Sequence, residues 1–453
     1  MKLDFENEKI GKLLWKYAIP SIVGGLVFAL YNIVDRIFIS RGVGTYALSA
    51  LSLTFPLFNI IAGVTAFISV GATAKIGLKL GERKKDDAEK ILGNTFTIFL
   101  FMSLILTILG NVYLDKLLYF LGANESTFSL ARDYLIILIN SLFFLLFPFG
   151  IMGLMQAEGN PKKAMTAGLI GTLLNIILNP IFIFGLHMGI KGSSLATALA
   201  NIFVAIYVFH HFIWSKKRNL SLKWKNLKID FGLMVEVMRI GISPLLRKLA
   251  TSMTIVIINR SLINYGGSSS VAVLGIIDTI STVIFIVIMG INEGAQPIIS
   301  YNYGAKNYKR VKDAIFKSLQ ASTIIGTIAL IIVIIFQNQM IAAFTKDQNL
   351  VAEVKEALVI YMLMTPLLGF HTLGVNFFQA IDRSRVAIFL NLFRKVFLLI
   401  PLILIMSNTF GEMGIWYANP LSDILAAFVT FYFLKREFGI LNGKEKENEL
   451  QSI

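Results

Sequence analysis

Residues Gly290–Asp313 read GINEGAQPIISYNYGAKNYKRVKD. A long apolar run ends in Gly-Ala-Gln-Pro, passes through a polar aromatic turn at Tyr301–Gly304, and finishes in a basic loop. Val70–Lys90, VGATAKIGLKLGERKKDDAEK, is a weaker copy. Gly71 and Ala72 match Gly294 and Ala295, and Gly81 matches Gly304. The offset is roughly 223 residues, about half the chain, which is the mark of an internal repeat. The register holds elsewhere. Ile19-Pro20 falls on Ser243-Pro244, Asp35-Arg36 on Asn259-Arg260, Gly42 on Gly266, and Gln156-Ala157 on Gln379-Ala380. Pro180 lies near Pro401 and Gly192 near Gly414. The chain reads as two related halves.

Composition says where those halves reside. Of 453 residues, 56% are hydrophobic and only 15% charged, with a mean hydropathy of +0.71. A soluble domain is about 45–50% apolar and roughly 25% charged. Apolar runs long enough to cross a hydrocarbon core of about 30 Å recur throughout. They fall near 14–40, 47–80, 91–111, 134–155, 164–186 and 193–214, then 241–264, 271–301, 314–336, 357–380, 386–406 and 414–434. The expected fold is an all-α polytopic membrane protein, with 12 transmembrane helices as two pseudo-symmetric six-helix bundles. No cleavable signal peptide is apparent, and the first run reads as an uncleaved anchor.

The expected domains are an N-terminal lobe at 1–214, a basic amphipathic linker at 215–232, a C-terminal lobe at 233–438 and a polar tail at 439–453 that reads as disordered. The linker, SKKRNLSLKWKNLKIDFG, interleaves basic residues with Leu222, Trp224, Leu227 and Phe231, and suits an anionic membrane surface. Arg83–Lys85, Lys162, Lys163, the linker, Lys306–Lys312, Arg383, Arg385, Lys435 and Arg436 all fall on one side. Only a few, among them Arg41, Lys116, Lys191, Lys346 and Lys355, fall on the other. Basic loops stay cytoplasmic, so both termini are expected inside. Six spans per half put the halves the same way up, a parallel repeat about the membrane normal.

Several classes drop out. The net charge of +15 belongs to cytoplasmic loops rather than to nucleic acid. There are no cysteines, and the four histidines (His187, His210, His211, His371) are scattered, so no metal site or other cofactor is expected. GxxxxGK[ST] and DDxxD are absent, which removes an ATP-driven pump and a prenyltransferase; the chain is not expected to be an enzyme. An ion gradient remains as the energy source. Acids within spans are then informative, because an ionised carboxylate mid-helix costs about 2.5–3.5 kcal/mol on insertion scales. Asp35 lies in the outer third of the first span. Glu293 lies in Gly290–Pro297, read as a break in the eighth span that exposes backbone to a cavity. An acid there attracts an organic cation, with Gln296 as a helper and aromatic side chains for the apolar body. Arg394 and Asp423 sit at similar depth in adjacent spans and read as a structural ion pair. Glu158 and Asp382, at equivalent helix ends, read as caps or surface residues.

Five motifs together carry a family resemblance: IGKLLWKYAIPSIVGGL at Ile10–Leu26, YNIVDRIFIS at Tyr31–Ser40, LNIILNPIFIFG at Leu174–Gly185, GAQPIISYNYGAKNYKRV at Gly294–Val311 and LFRKVFLLIPL at Leu392–Leu402. In this order they resemble multidrug and toxic compound extrusion (MATE) transporters, and within them the bacterial MepA- and DinF-like branches. The resemblance covers nearly the whole chain. It implies a cation-coupled antiporter, working as a monomer, that exchanges H⁺ or Na⁺ for lipophilic, often cationic drugs by alternating access of two lobes around a central cleft. It implies cation coupling at Asp35 with Tyr134, Asn175, Asn179 and Thr197, a bend of the first helix at Pro20, and Glu293 on the drug path. Some members carry Asp where this chain has Asn179, which reduces two carboxylates to one and tilts the coupling ion toward H⁺. A lipid-linked precursor flippase is the alternative. It needs a cationic cavity, for which Arg247, Lys248, Arg394 and Lys395 are the basic span residues.

Overall fold

The computed structural model describes residues 5–125, 127–345 and 347–451; Lys346, counted above among the sparse basic residues of one side, lies outside them. The described residues contain no strand. Twelve helical rods follow in chain order. They are α1 (Ile10–Gly42), α2 (Thr45–Gly81), α3 (Lys85–Phe120), α4 (Phe128–Asn140 and Leu142–Ala157), α5 (Pro161–Gly185) and α6 (Ile190–Ile213). The second series is α7 (Phe231–Gly267), α8 (Ser269–Gly304), α9 (Tyr308–Ala342), α10 (Gln348–Met362 and Thr365–Ala380), α11 (Ser384–Phe410) and α12 (Glu412–Gln451). Nine are long and apolar enough to cross a membrane alone, and α4 and α10 qualify as bent pairs. They bend by 60° and 44° and are equivalents in the repeat. In α10 the bend falls just before Pro366, where helical backbone is disfavoured. Gly267, at φ +78°, separates α7 from α8 in a conformation that only glycine adopts cheaply.

The chain folds into two compact units that do not follow the halves of the sequence. Among the described residues, the first unit comprises 23–241, and the second 5–22 and those from 242 to 451. Each unit therefore holds the first part of the other repeat's leading helix. Pro20 in α1 and its counterpart Pro244 in α7 stand within three residues of these two crossings.

Matched glycines receive the exchanged segments. In the first unit, a Cβ on Gly71 of α2 would run into the Val237 backbone at the start of α7, 2.9 Å from its carbonyl carbon. In the second, a Cβ on Gly294 of α8 would lie 2.6 Å from Ala18 N and 3.0 Å from Tyr17 C of α1. One on Gly290 would lie 2.8 Å from Ile22 N. This corrects the sequence expectation for Gly290–Pro297. α8 runs unbroken through it to Gly304, because these glycines serve close helix contact rather than a break. The backbone feature that survives is local: Pro297 has no N–H to offer the Glu293 carbonyl four residues back.

Residues 215–230 are not a loose tether; α3 and the ends of α4–α6 clasp them within the first unit. Glu158 is fully buried. Its Oε2 accepts from Asn219 N (3.1 Å) and Leu220 N (2.9 Å), and its Oε1 from Asn160 Nδ2 (2.8 Å) and His211 Nε2. Lys163 Nζ closes the set on His211 Nδ1 (2.9 Å) and Ser215 Oγ (2.8 Å). Asn94 accepts from Asp230 N at 2.7 Å and donates to Asn226 O at 3.1 Å, and Thr97 donates to Leu227 O at 2.8 Å. Glu89 holds Lys223, and that hydrogen bond raises the lysine's pKa above its ordinary value. Glu158 is thus the centre of a buried network and not a surface cap. Trp224, by contrast, is 88% exposed.

The expected disordered tail is helical to Gln451. Its last turns pack in the second unit against the stretch quoted at the outset. Lys444 donates to Tyr303 OH at 3.2 Å and sits over the rings of Tyr303 and Tyr308, and Lys312 reaches Glu445 at 2.6 Å. Arg310 of the same stretch donates to Phe5 O and Glu8 O, both at 2.8 Å, which seats residues 5–8 in this unit. Tyr301–Gly304 is the last turn of α8, and only residues 305–307 form the loop.

Two outcomes are expected. Gly294→Ala should lower thermal stability in detergent by about 1–3 kcal/mol, the cost of overpacking. Gly24→Ala in α1, with open space around it, should be neutral or stabilising by up to about 1 kcal/mol; equal effects would refute close packing at Gly294. Glu158→Ala strands a buried histidine and two backbone N–H groups, a loss of about 3 kcal/mol. Trypsin cleavage at Lys216–Arg218 should then quicken at least tenfold (~1.4 kcal/mol of local opening), and an unchanged rate would mean that Glu158 does not hold the linker.

Candidate functional site

Three helices of the first unit each present two polar residues four apart, hence on one face. These are Tyr31 and Asp35 on α1, Asn175 and Asn179 on α5, and Ser193 and Thr197 on α6. Their side chains meet. Asn179 Nδ2 donates to Asp35 Oδ1 at 2.7 Å and to Asn175 Oδ1 at 2.6 Å. Ser193 Oγ donates to the same Asp35 oxygen at 2.9 Å. Asn175 Nδ2 donates to Thr197 Oγ1 at 3.0 Å, which also lies 3.4 Å from Tyr31 OH. Asp35 is 6% exposed and Asn179 fully buried.

The local backbone explains the placement. Pro180 follows Asn179 and offers no N–H, so the helical ladder slips. Residues Ile181–Gly185 form a π-turn, with Leu186 N bonded five residues back to Ile181 O at 2.8 Å. Such turns interrupt α-helices mostly at functional positions.

The network is incomplete at two oxygens. Asn179 Oδ1 is buried with no hydrogen-bond partner. Among the described residues none donates to Asp35 Oδ2. A buried carbonyl oxygen without a donor is costly, and native proteins rarely keep one without cause. The arrangement suits a proton or a cation that comes and goes.

The structure thus brings together four of the residues named from the sequence: Asp35, Asn175, Asn179 and Thr197. Tyr134 is not hydrogen-bonded to them; it is buried in the apolar cluster of Ile39, Leu135 and Leu138, with its ring near Phe58. Ser193 and Tyr31 were not among the expected residues, although each sits four residues before one that was.

The second unit carries the other acids. Glu293 on α8 is exposed, with no hydrogen bond or ion pair among the described residues. Gln296, one turn on, is 7% exposed. Asn292 O accepts from Asn376 Nδ2 at 2.7 Å, which fixes α10 against α8 beside Glu293. Arg394 Nε, inside the π-segment Phe393–Leu399 of α11, donates to Asp423 Oδ1 of α12 at 2.5 Å. Both are buried, so that charge pair is closed and offers no binding group.

Known proteins extend this picture. The family model described as MatE matches residues 20–181 and again 244–405. Each match opens on a proline, Pro20 or Pro244, in step with the repeat. The multidrug export protein MepA of Staphylococcus aureus (strain bovine RF122 / ET3-1) is 29% identical over 436 residues, 95% of each chain. MepA of Staphylococcus haemolyticus (strain JCSC1435) is 27% identical over 434 residues, 95% of this chain and 94% of its own. An outward-facing MATE family transporter of the MOP superfamily superposes with a TM-score of 0.92 at 24% identity, covering 98% of this chain and 99% of that one. A MOP superfamily transporter from Pyrococcus furiosus Vc1 (DSM3638), described as having a binding pocket of reversed polarity, gives 0.91 at 23% identity over 98% and 99%. The solved structures establish the twelve-helix fold, and the paired matches span most of both repeats: the chain belongs to the MatE family of membrane transporters.

Proposed function

We propose that this protein is a monomeric multidrug exporter of a bacterial cytoplasmic membrane, with both termini inside, that drives lipophilic, often cationic drugs outward by taking up protons at Asp35. The relatives' names as multidrug export proteins support drug export over a lipid-linked precursor flippase. The observation that carries the coupling reading is the buried Asp35 carboxylate, held by two donors on one oxygen and open on the other.

The donor set favours a proton over sodium. A hard cation takes about six oxygen ligands. Here the oxygens of Asn175 and Thr197 already accept amide hydrogens, which leaves Asp35 Oδ2 and Asn179 Oδ1 free. A proton needs only the carboxylate oxygen. Its arrival discharges Asp35 and weakens the charge-assisted bonds from Asn179 and Ser193, which tie α1 to α5 and α6. α1 is also the helix that passes between the units beside Pro20. Protonation at one end of α1 is thereby converted into rearrangement of the helix, in an alternating-access cycle. Glu293, an unpaired acid on α8, attracts the drug's cationic centre, with Gln296 beside it.

The test is ethidium export from proteoliposomes under an imposed pH gradient or an imposed sodium gradient. Export is expected with the pH gradient alone. Asp35→Asn and Glu293→Gln should each lower it at least tenfold (~1.4 kcal/mol in the transport barrier). The exchange Asp35→Asn with Asn179→Asp, which restores one carboxylate across a 2.7 Å contact, should recover part of the rate. Wild-type rates in both single variants would remove these roles. Export under sodium alone would reassign the coupling ion.

A further inference from the structure

Seven charged side chains in the spanning part of the second unit have no ion pair within 4.0 Å among the described residues: Arg247, Lys248 and Arg260 on α7, Asp278 and Glu293 on α8, Lys317 on α9, and Lys395 on α11. They contrast with the closed Arg394–Asp423 pair beside them. Bases outnumber acids in this open set, which is a poor match to a wall that selects simple cations. An unpaired ionisable side chain inside a membrane span is a functional candidate by default.

Arg247 is the most exacting case. Its only hydrogen-bond contact among the described residues is a long one, Nη1 to the Met289 sulfur at 3.9 Å. A thioether is a weak acceptor and leaves the fork of a guanidinium largely unused. Met289 lies four residues before Glu293, so both occupy one face of α8. Arg247 thus reaches the same helix face that displays Glu293, and the two lie within electrostatic reach of each other. They stop short of closing on one another as Arg394 and Asp423 do. Two opposite charges held near each other yet unjoined form a receptor for a molecule that carries both signs.

The geometry points to Arg247 as a specificity-determining residue that holds the carboxylate of an amphipathic zwitterion whose cationic centre rests at Glu293. A planar guanidinium takes a carboxylate by two parallel hydrogen bonds, which an ammonium cannot reproduce. The bound zwitterion satisfies both side chains at once. A pure cation neutralises Glu293 and leaves Arg247 facing like charge. The inference rests on the drug-binding reading of Glu293 given above.

A matched pair of probes separates the two claims. Rhodamine B carries a fixed cationic ring system and a free carboxylate; its ethyl ester has the same ring without the negative charge. Binding to the purified full-length protein is followed by fluorescence anisotropy, and export from proteoliposomes under a pH gradient. The wild type should bind the free acid at least as tightly as the ester. Arg247→Gln should weaken the free acid at least tenfold and leave the ester unchanged or tighter, while Arg247→Lys should retain part of the preference. Glu293→Gln should weaken both probes. Melting temperatures of each variant confirm folding. Equal loss of both probes in a folded Arg247→Gln variant, or no change in either, overturns the role of Arg247. Ester binding that survives Glu293→Gln overturns the drug-site reading instead, whatever Arg247→Gln does.

Discussion

Everything in this fold depends on how closely two backbones can approach at Gly71 and Gly294. A helix pair normally stands 8–10 Å apart, set by the side chains between them. A glycine on one helix lets the other come nearer, and membrane proteins rely on this because lipid offers no hydrophobic force to press helices together. Here the matched glycines accept the exchanged starts of α7 and α1. Without that access, α1 and α7 have no seat in the unit opposite to their repeat. The positions of Asp35 and Arg247, each downstream on one of these helices, follow from it.

The two polar centres show different uses of burial. Around Asp35, nearly every donor has an acceptor, and the exceptions lie at the carboxylate and at its neighbour Asn179. A site so satisfied elsewhere localises its unmet demand to one place. The second unit does the reverse. Within its spans it closes the Arg394–Asp423 pair and, among the described residues, leaves seven charges without an ion pair. Closed pairs fix structure at little functional gain, whereas open charges in a low-dielectric surround act strongly on whatever enters.

Much of this was legible in the sequence. The twofold repeat, the spans and the all-α class follow from apolar run length and from matched Gly and Pro positions. Asp35, Asn175, Asn179 and Thr197 were reachable through motif resemblance, and the i, i+4 spacing of Asn175 and Asn179 is consistent with a shared face. Ser193 and Tyr31 carry the same spacing signal, but a serine or tyrosine in a span has many bland roles. Glu158 was misjudged because an acid after Gln-Ala at a helix end looks like a cap. That it faces His211 and the linker's amides depends on contacts across some sixty residues, which no local pattern encodes. Gly290 and Gly294 misled for a related reason. Glycine loosens a backbone and also thins a helix, and only the neighbour's position tells which applies. The tail's composition suggested disorder, yet Lys444 and Glu445 find Tyr303, Tyr308 and Lys312, partners well over a hundred residues upstream.

The exchange of helix beginnings also dictates an order of assembly. Translation delivers residues 5–22 early, yet their seat lies on α8, in the other repeat. The first unit is likewise short of residues 231–241 until the second repeat begins to emerge. The first unit is complete once residue 241 has emerged and can close before the rest of the second repeat is made, while residues 5–22 must wait for α8 to take their seat. A chain cut between its repeats would leave each piece without one helix beginning, a pair of incomplete bundles rather than two small transporters.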